Sequence, residues 1–139
     1  MKYLLFALLM MVTALALTSC KQGANGQQNQ DMGKTLTVDN DEFEKIIANK
    51  DSVVLVDVRT QEEYDEGHLE GAQLIDVKKD SFRSECLSKL DHSKRIAVYC
   101  RSGFRSKTAA NILNEAGFDV VNLKAGYNGW TEAGKPTIK

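Results

Sequence analysis

From residue 36 onward, short apolar runs alternate with stretches whose apolar positions recur at helical spacing. Five runs read as strands: Leu36 to Val38, Val53 to Asp57, Ala72 to Asp76, Arg95 to Tyr99 and Asp119 to Leu123. The second, VVLVD, is continuously apolar until its closing acid, the pattern of a strand covered on both faces. Between the runs lie predicted helices. Asp39-x-x-Glu42 is a capping arrangement for a helix with Phe43, Ile46 and Ile47 on one side, and Thr60-x-x-Glu63 is a capping box for a short helix that stops at Gly67. Phe82, Glu85, Cys86 and Leu90 share a helical spacing. A longer helix is predicted from Gly103 or Phe104 to Ala116 with Gly117 as its stop, and a short one follows in GYNGWTEAGKP, where Tyr127 and Trp130 pack back. Strands separated by helices predict an α/β domain with a central, mostly parallel five-stranded sheet and helices on both faces. Ligand sites in such sheets form at the carboxyl ends of strands, where Asp57 and Cys100 fall.

The pattern breaks down before residue 35. Residues 1–19 carry one basic side chain, an apolar run from Tyr3 to Leu17 and then small polar residues, the order of a secretory signal. Leu17-Thr18-Ser19-Cys20 resembles the lipobox of bacterial lipoproteins, which implies removal of residues 1–19 and a lipid anchor on Cys20. The apolar run is shorter than the ~20 residues a spanning helix needs. Lys21 to Lys34 is rich in Gln, Asn and Gly with almost no apolar side chains, and reads, with Cys20, as a flexible tether over 20–34. That leaves residues 35–139 as one domain, large enough for a single core.

Composition agrees with one globular domain: 139 residues, 42% hydrophobic and 27% charged. The formal net charge is -1, and -2 once residues 1–19 are set aside, which argues against nucleic acid as a partner. A monomer in the bacterial cell envelope, attached to a membrane through Cys20, is the expected setting.

The candidate chemistry lies in AVYCRSGFRS. Here an apolar strand ends in Cys100, followed by Arg101, Ser102, Gly103, Phe104, Arg105 and Ser106 before a helix. Cysteine attacks as its thiolate, whereas an ordinary thiol is mostly protonated at neutral pH. Three features favour negative charge on the sulfur: unpaired N–H groups at a helix N-terminus, the two guanidinium groups, and a glycine that lets the turn close. Such a loop suits both a thiolate and an anionic substrate. No metal or organic cofactor is expected.

Three segments together resemble the rhodanese-homology domain. VLVDVRTQEEYDEGHLEGAQLI is similar to its D-x-R and E-[FY]-x-x-G-H-[IL]-x-G-A motifs, VYCRSGFRS to its active-site loop, and AGYNGWTEAGKP to its closing G-G-x-x-x-W-x-x-x-G-x-P, with Ala125 at the first glycine. The resemblance implies a sulfurtransferase in which Cys100 takes the outer sulfur of thiosulfate or a similar donor as a persulfide and passes it to a thiol or cyanide. Arg101 and Arg105 would attract the donor, the N–H groups of Ser102 to Ser106 would hold the charged sulfur, and Asp57 and Arg59 would support the site, for example as an ion pair. A sulfane-sulfur carrier or sensing module that docks a partner thiol is the alternative. Cysteine phosphatases resemble C-x5-R, whereas Cys100 to Arg105 is C-x4-R and Tyr99 stands where many of them have His. His68 reads as a hydrogen-bonding structural residue, and Cys86 as core packing, with a resolving thiol as the other reading.

Overall fold

The computed structural model describes residues 33–139. Residues 1–19, Cys20 and most of the tether expected over 20–34 lie outside the described residues. Five strands, β1 (Thr35–Val38), β2 (Val53–Asp57), β3 (Gln73–Leu74), β4 (Arg95–Tyr99) and β5 (Val120–Leu123), form one sheet in the order β1-β5-β4-β2-β3. Every pairing is parallel, so the sheet goes one step beyond the mostly parallel expectation. Five helices connect the strands or follow them: α1 (Asn40–Ile47), α2 (Gln61–Glu66), α3 (Phe82–Lys89), α4 (Phe104–Glu115) and α5 (Gly126–Glu132).

Period-two alternation sorts the strand side chains into two cores. Val56, Val58, Ile96, Val98, Cys100 and Val120 face α3 and α4, where Phe82, Cys86, Ala109, Ala110 and Leu113 meet them. Leu55, Ala97, Tyr99, Val121 and Leu123 face the opposite layer, against Phe43 of α1 and Trp130 of α5. Tyr99 and Cys100 are neighbours in sequence yet belong to different layers. The sheet therefore carries the thiol on one face and the phenol on the other.

Local signals explain most boundaries. Asp39 caps α1 by accepting from Glu42 N at 2.9 Å, and Thr60 opens α2 with both halves of a capping box present. The run from Ala72 to Asp76 is cut to two paired residues, because β3 is an edge strand with β2 as its neighbour. Beyond Leu74 the chain still bonds to β2 and its extension, through Ile75 N to Asp57 O at 2.9 Å and Val77 N to Val58 O at 3.2 Å, but no longer as a regular ladder. Toward the other edge, Asp119 sits just outside β5, and its side chain accepts at 2.8 Å from the N–H of Lys34, just ahead of the edge strand β1.

Trp130 closes the layer of α1 and α5. Its ring meets Phe43 edge-on at 6.2 Å, and its indole N–H donates to Pro136 O at 2.9 Å, which holds the C-terminal tail. Large aromatic side chains at such points carry several kcal/mol. Trp130→Ala is expected to lower unfolding free energy by about 3–5 kcal/mol, read as a fall in denaturant midpoint with little change in slope.

Candidate active site

Cys100 follows the last residue of β4, and Gly103 is the N-cap of α4. The loop between them curls so that Gly103 N–H points at Cys100 Sγ, 3.1 Å away. No side chain caps α4, so the N–H groups of Phe104, Arg105 and Ser106 keep the positive end of the helix free at this point. Ser106 is buried and its hydroxyl donates to Gly103 O at 3.2 Å. Cys100 itself is fully buried, Ser102 is exposed, and Phe104 stands out into solvent with 79% of its surface accessible.

Two glycines set this geometry. Gly103 has φ +91°, and a Cβ there would lie 2.3 Å from Lys124 O; Gly126 has φ +63°, and a Cβ there would lie 2.5 Å from Arg101 O. The segment after β5 is thus the floor on which the loop rests. From it α5 reaches back, with Tyr127 N donating to Cys100 O at 2.8 Å and Asn128 N to Arg101 O at 3.0 Å. Ala125 adopts φ -85°, open to any residue, which accounts for the missing glycine at that position.

The loop arginines are not free cations. Glu63, the third residue of α2, accepts from Arg105 at both oxygens, Nη1 to Oε2 and Nη2 to Oε1, each at 2.7 Å. It also accepts from Arg101 Nε at 2.7 Å while its Oε2 completes the capping box with Thr60 N at 3.0 Å. The hydrogen bonds from Arg105 hold the Glu63 carboxyl far below the usual carboxylate range against the opposing effect of burial. Glu63 in turn raises the Arg105 pKa. In the sequence Glu63 is recognisable only as a cap, since nothing in the α2 pattern shows how far its carboxylate reaches. The two arginines, expected to attract the donor, are both paired with Glu63 of α2.

Asp57 and Arg59 form a fully buried ion pair on the Tyr99 face of the sheet, with Arg59 Nη2 2.7 Å from Asp57 Oδ2. Arg59 Nη2 also donates to Gly67 O at 2.7 Å, and the guanidinium lies over the Tyr127 ring at 4.2 Å. Burial pulls the Arg59 pKa down, but the Asp57 carboxylate outweighs it and the net direction is up. Tyr99 donates to Asp57 Oδ2 at 2.6 Å and accepts from Leu69 N at 3.1 Å; burial, with the adjacent carboxylate, pushes its phenol pKa up. Tyr99 and Tyr127 joined this cluster unforeseen, because strand and helix periodicity mark them only as core. The pair therefore touches the loop from behind, through Tyr99 in β4 and Tyr127 in α5.

His68 Nδ1 donates to Tyr64 O at 2.9 Å, the ring stacks on that of Tyr64 at 3.6 Å, and the His68 backbone pairs with Ile138. Cys86 is buried beside Phe82 and Leu90 in the layer of α3 and α4, and burial pushes its thiol up to about 12. Both it and Cys100 are free thiols.

Residues 39–133 match the family model for the rhodanese-like domain. The thiosulfate sulfurtransferase GlpE of Coxiella burnetii is 36% identical over 92 residues, covering 66% of this chain and 82% of that protein. A sulfurtransferase of Allochromatium vinosum is 29% identical over 102 residues, covering 73% and 92%. The "Probable adenylyltransferase/sulfurtransferase MoeZ" of Mycobacterium tuberculosis is 37% identical over 87 residues, but the match spans 62% of this chain and only 22% of that longer protein. Among solved structures, the rhodanese-like domain of Anabaena sp. Alr3790 has a TM-score of 0.64 at 28% identity, covering 73% of this chain and 77% of that one. A rhodanese-like domain protein from Staphylococcus aureus has a TM-score of 0.59 at 30% identity, covering 70% and 90%.

Two outcomes follow from the charge geometry. Removing one member of the buried pair leaves the other charge unmatched, so Arg59→Met is expected to cost about 3–5 kcal/mol of stability, measured by denaturant unfolding. Glu63, whose folded pKa is depressed, contributes stability that is complete above its ordinary value of 4.5 and is lost as pH falls toward the folded value. The stability difference between the parent chain and Glu63→Gln is therefore expected to be constant at neutral pH and to shrink below about pH 4.5, followed by thermal melts across the acid range.

Proposed function

The chain belongs to the rhodanese-like domain family, and from that premise we propose that it is a sulfurtransferase that carries sulfane sulfur on Cys100. The observation that carries this reading is the Gly103 N–H directed at Cys100 Sγ at 3.1 Å, inside a C-x4-R loop at the open N-terminus of α4. Fixed N–H dipoles of this kind stabilise negative charge on a small group without reorganising. They serve the thiolate first and the persulfide afterwards.

With thiosulfate as donor, the Cys100 thiolate attacks the outer sulfur, the sulfur–sulfur bond of the donor breaks, and sulfite leaves with the bonding pair. The product is a Cys100 persulfide that keeps one negative charge. An acceptor thiolate or cyanide then attacks the terminal sulfur, and Cys100 leaves again as a thiolate, so that no external oxidant or reductant enters the cycle. The names of the Coxiella and Allochromatium relatives support this reading. Cys86, buried and with its pKa pushed up to about 12, is poorly suited to act as the acceptor.

A carrier role, with a partner protein thiol as the acceptor, is the second reading. Phe104 favours it, because an exposed aromatic four residues beyond the nucleophile gives a partner an apolar foothold. The Leu17-Thr18-Ser19-Cys20 segment supports attachment of the protein to a membrane of the bacterial cell envelope through lipid on Cys20.

Intact mass spectrometry after thiosulfate treatment is expected to show one added sulfur, mapped to Cys100 and discharged by cyanide as thiocyanate. Cys100→Ala should abolish both loading and turnover; sulfur transfer by that variant would sink the mechanism. Loading that discharges to a protein thiol and not to cyanide would select the carrier reading.

A further inference from the structure

Both cations of the Cys100 loop share a single carboxylate. Glu63 makes a two-point contact with Arg105 and a third contact with Arg101, all at 2.7 Å, with 15% of its side chain exposed. Arg105 is 21% exposed and Arg101 45%, so the Arg105 pair is the better shielded from solvent and the stronger of the two. The charges that act on Arg105 are those of Glu63, Cys100 and, more weakly, Asp76. Two positive groups and one negative group leave the arginine pair with one net positive charge. When Cys100 is a thiolate, that last charge is matched as well.

The field a donor meets near Sγ depends on this sum. A dianion such as thiosulfate loses twice as much attraction as a singly charged donor when one positive charge is cancelled, because the interaction is proportional to the product of charges. We infer that Glu63 is a specificity-determining residue: by pairing with Arg101 and Arg105 it turns the loop from a dianion site into one suited to singly charged sulfane donors such as alkyl persulfides. This rests on the sulfur-transfer reading for the identity of the donor, but its electrostatic part does not. Glu63 acts through the arginines and is a positioning residue, with no role at the reacting atoms.

The test separates charge from geometry. Glu63→Gln removes the charge and keeps an oxygen for the Thr60 N–H in the capping box, so α2 retains its start; Glu63→Asp keeps the charge. Cys100 is modified with iodoacetate, an anion, and with iodoacetamide, its neutral counterpart, and rates at Cys100 are read by peptide mapping. Differences in thiolate reactivity and loop opening cancel in the ratio of the two rates. The ratio is expected to rise about three- to tenfold in Glu63→Gln, to stay near the parent value in Glu63→Asp, and to lose its gain in high salt. A ratio that does not move in Glu63→Gln, or equal acceleration of both reagents, overturns the inference and makes Glu63 a mechanical latch on the loop.

In turnover, Glu63→Gln is expected to lower KM for thiosulfate by about the square of that factor, roughly ten- to a hundredfold, while KM for a singly charged alkyl persulfide moves only by about the factor itself. A rise in the thiosulfate KM would overturn the donor assignment. If the parent chain transfers sulfur from neither donor, the sulfur-transfer reading fails and takes the donor assignment with it, while the alkylation ratio still decides the electrostatic role of Glu63.

Discussion

A buried arginine has to be satisfied on every side, and Arg59 meets that demand by binding the parts of the fold that surround Cys100. Its guanidinium holds the Asp57 carboxylate at the end of β2, the Gly67 carbonyl after α2 and the face of Tyr127 in α5. Asp57 in turn takes the Tyr99 hydroxyl, and Tyr99 takes the Leu69 N–H. Misplacing any of these elements would leave a charge or a polar atom buried without a partner, at a cost of several kcal/mol. Such a network therefore selects one arrangement of strand ends and loops. An apolar cluster of similar volume would tolerate several.

On the opposite face of the sheet the demands are different. The shape of the loop comes from backbone. Gly103 and Gly126 allow two segments to approach within distances that a Cβ would forbid, and the N–H groups of Tyr127 and Asn128 fix the carbonyls of Cys100 and Arg101. Glu63 completes the enclosure from α2. One carboxylate thus starts a helix, orients two arginines and sets how much positive charge the loop retains.

The β2 and β4 runs, the capping residues Asp39 and Thr60, and the loop around Cys100 were legible from sequence because each depends on near neighbours in the chain. β-branched runs, a Ser/Thr/Asp-x-x-Glu cap and a Cys-to-Gly turn all act within a few residues. The length of β3 was not legible, since it depends on the partners available at the sheet edge. Nor was the capture of Arg101 and Arg105 by Glu63, which spans 38 and 42 residues of sequence. The same holds for Tyr99 and Tyr127, whose hydroxyl and ring contacts arise only when the strand ends come together. Cap chemistry announces Glu63 as a helix starter, and that local explanation is sufficient enough to hide its second role.

The all-parallel sheet also has a direction. Every strand runs the same way, so the amino ends gather at one pole and the carboxyl ends at the other. The described chain enters at Gly33 and Lys34, beside Asn114, Asp119 and Val120, at the amino pole. Cys100 lies past the carboxyl end of β4, roughly 15–20 Å away along a five-residue strand. The first described residues and the reactive loop therefore lie at opposite poles of the sheet. A donor or acceptor that arrives at the carboxyl pole meets Phe104 and the Cys100 loop without passing Gly33 and Lys34 at the other.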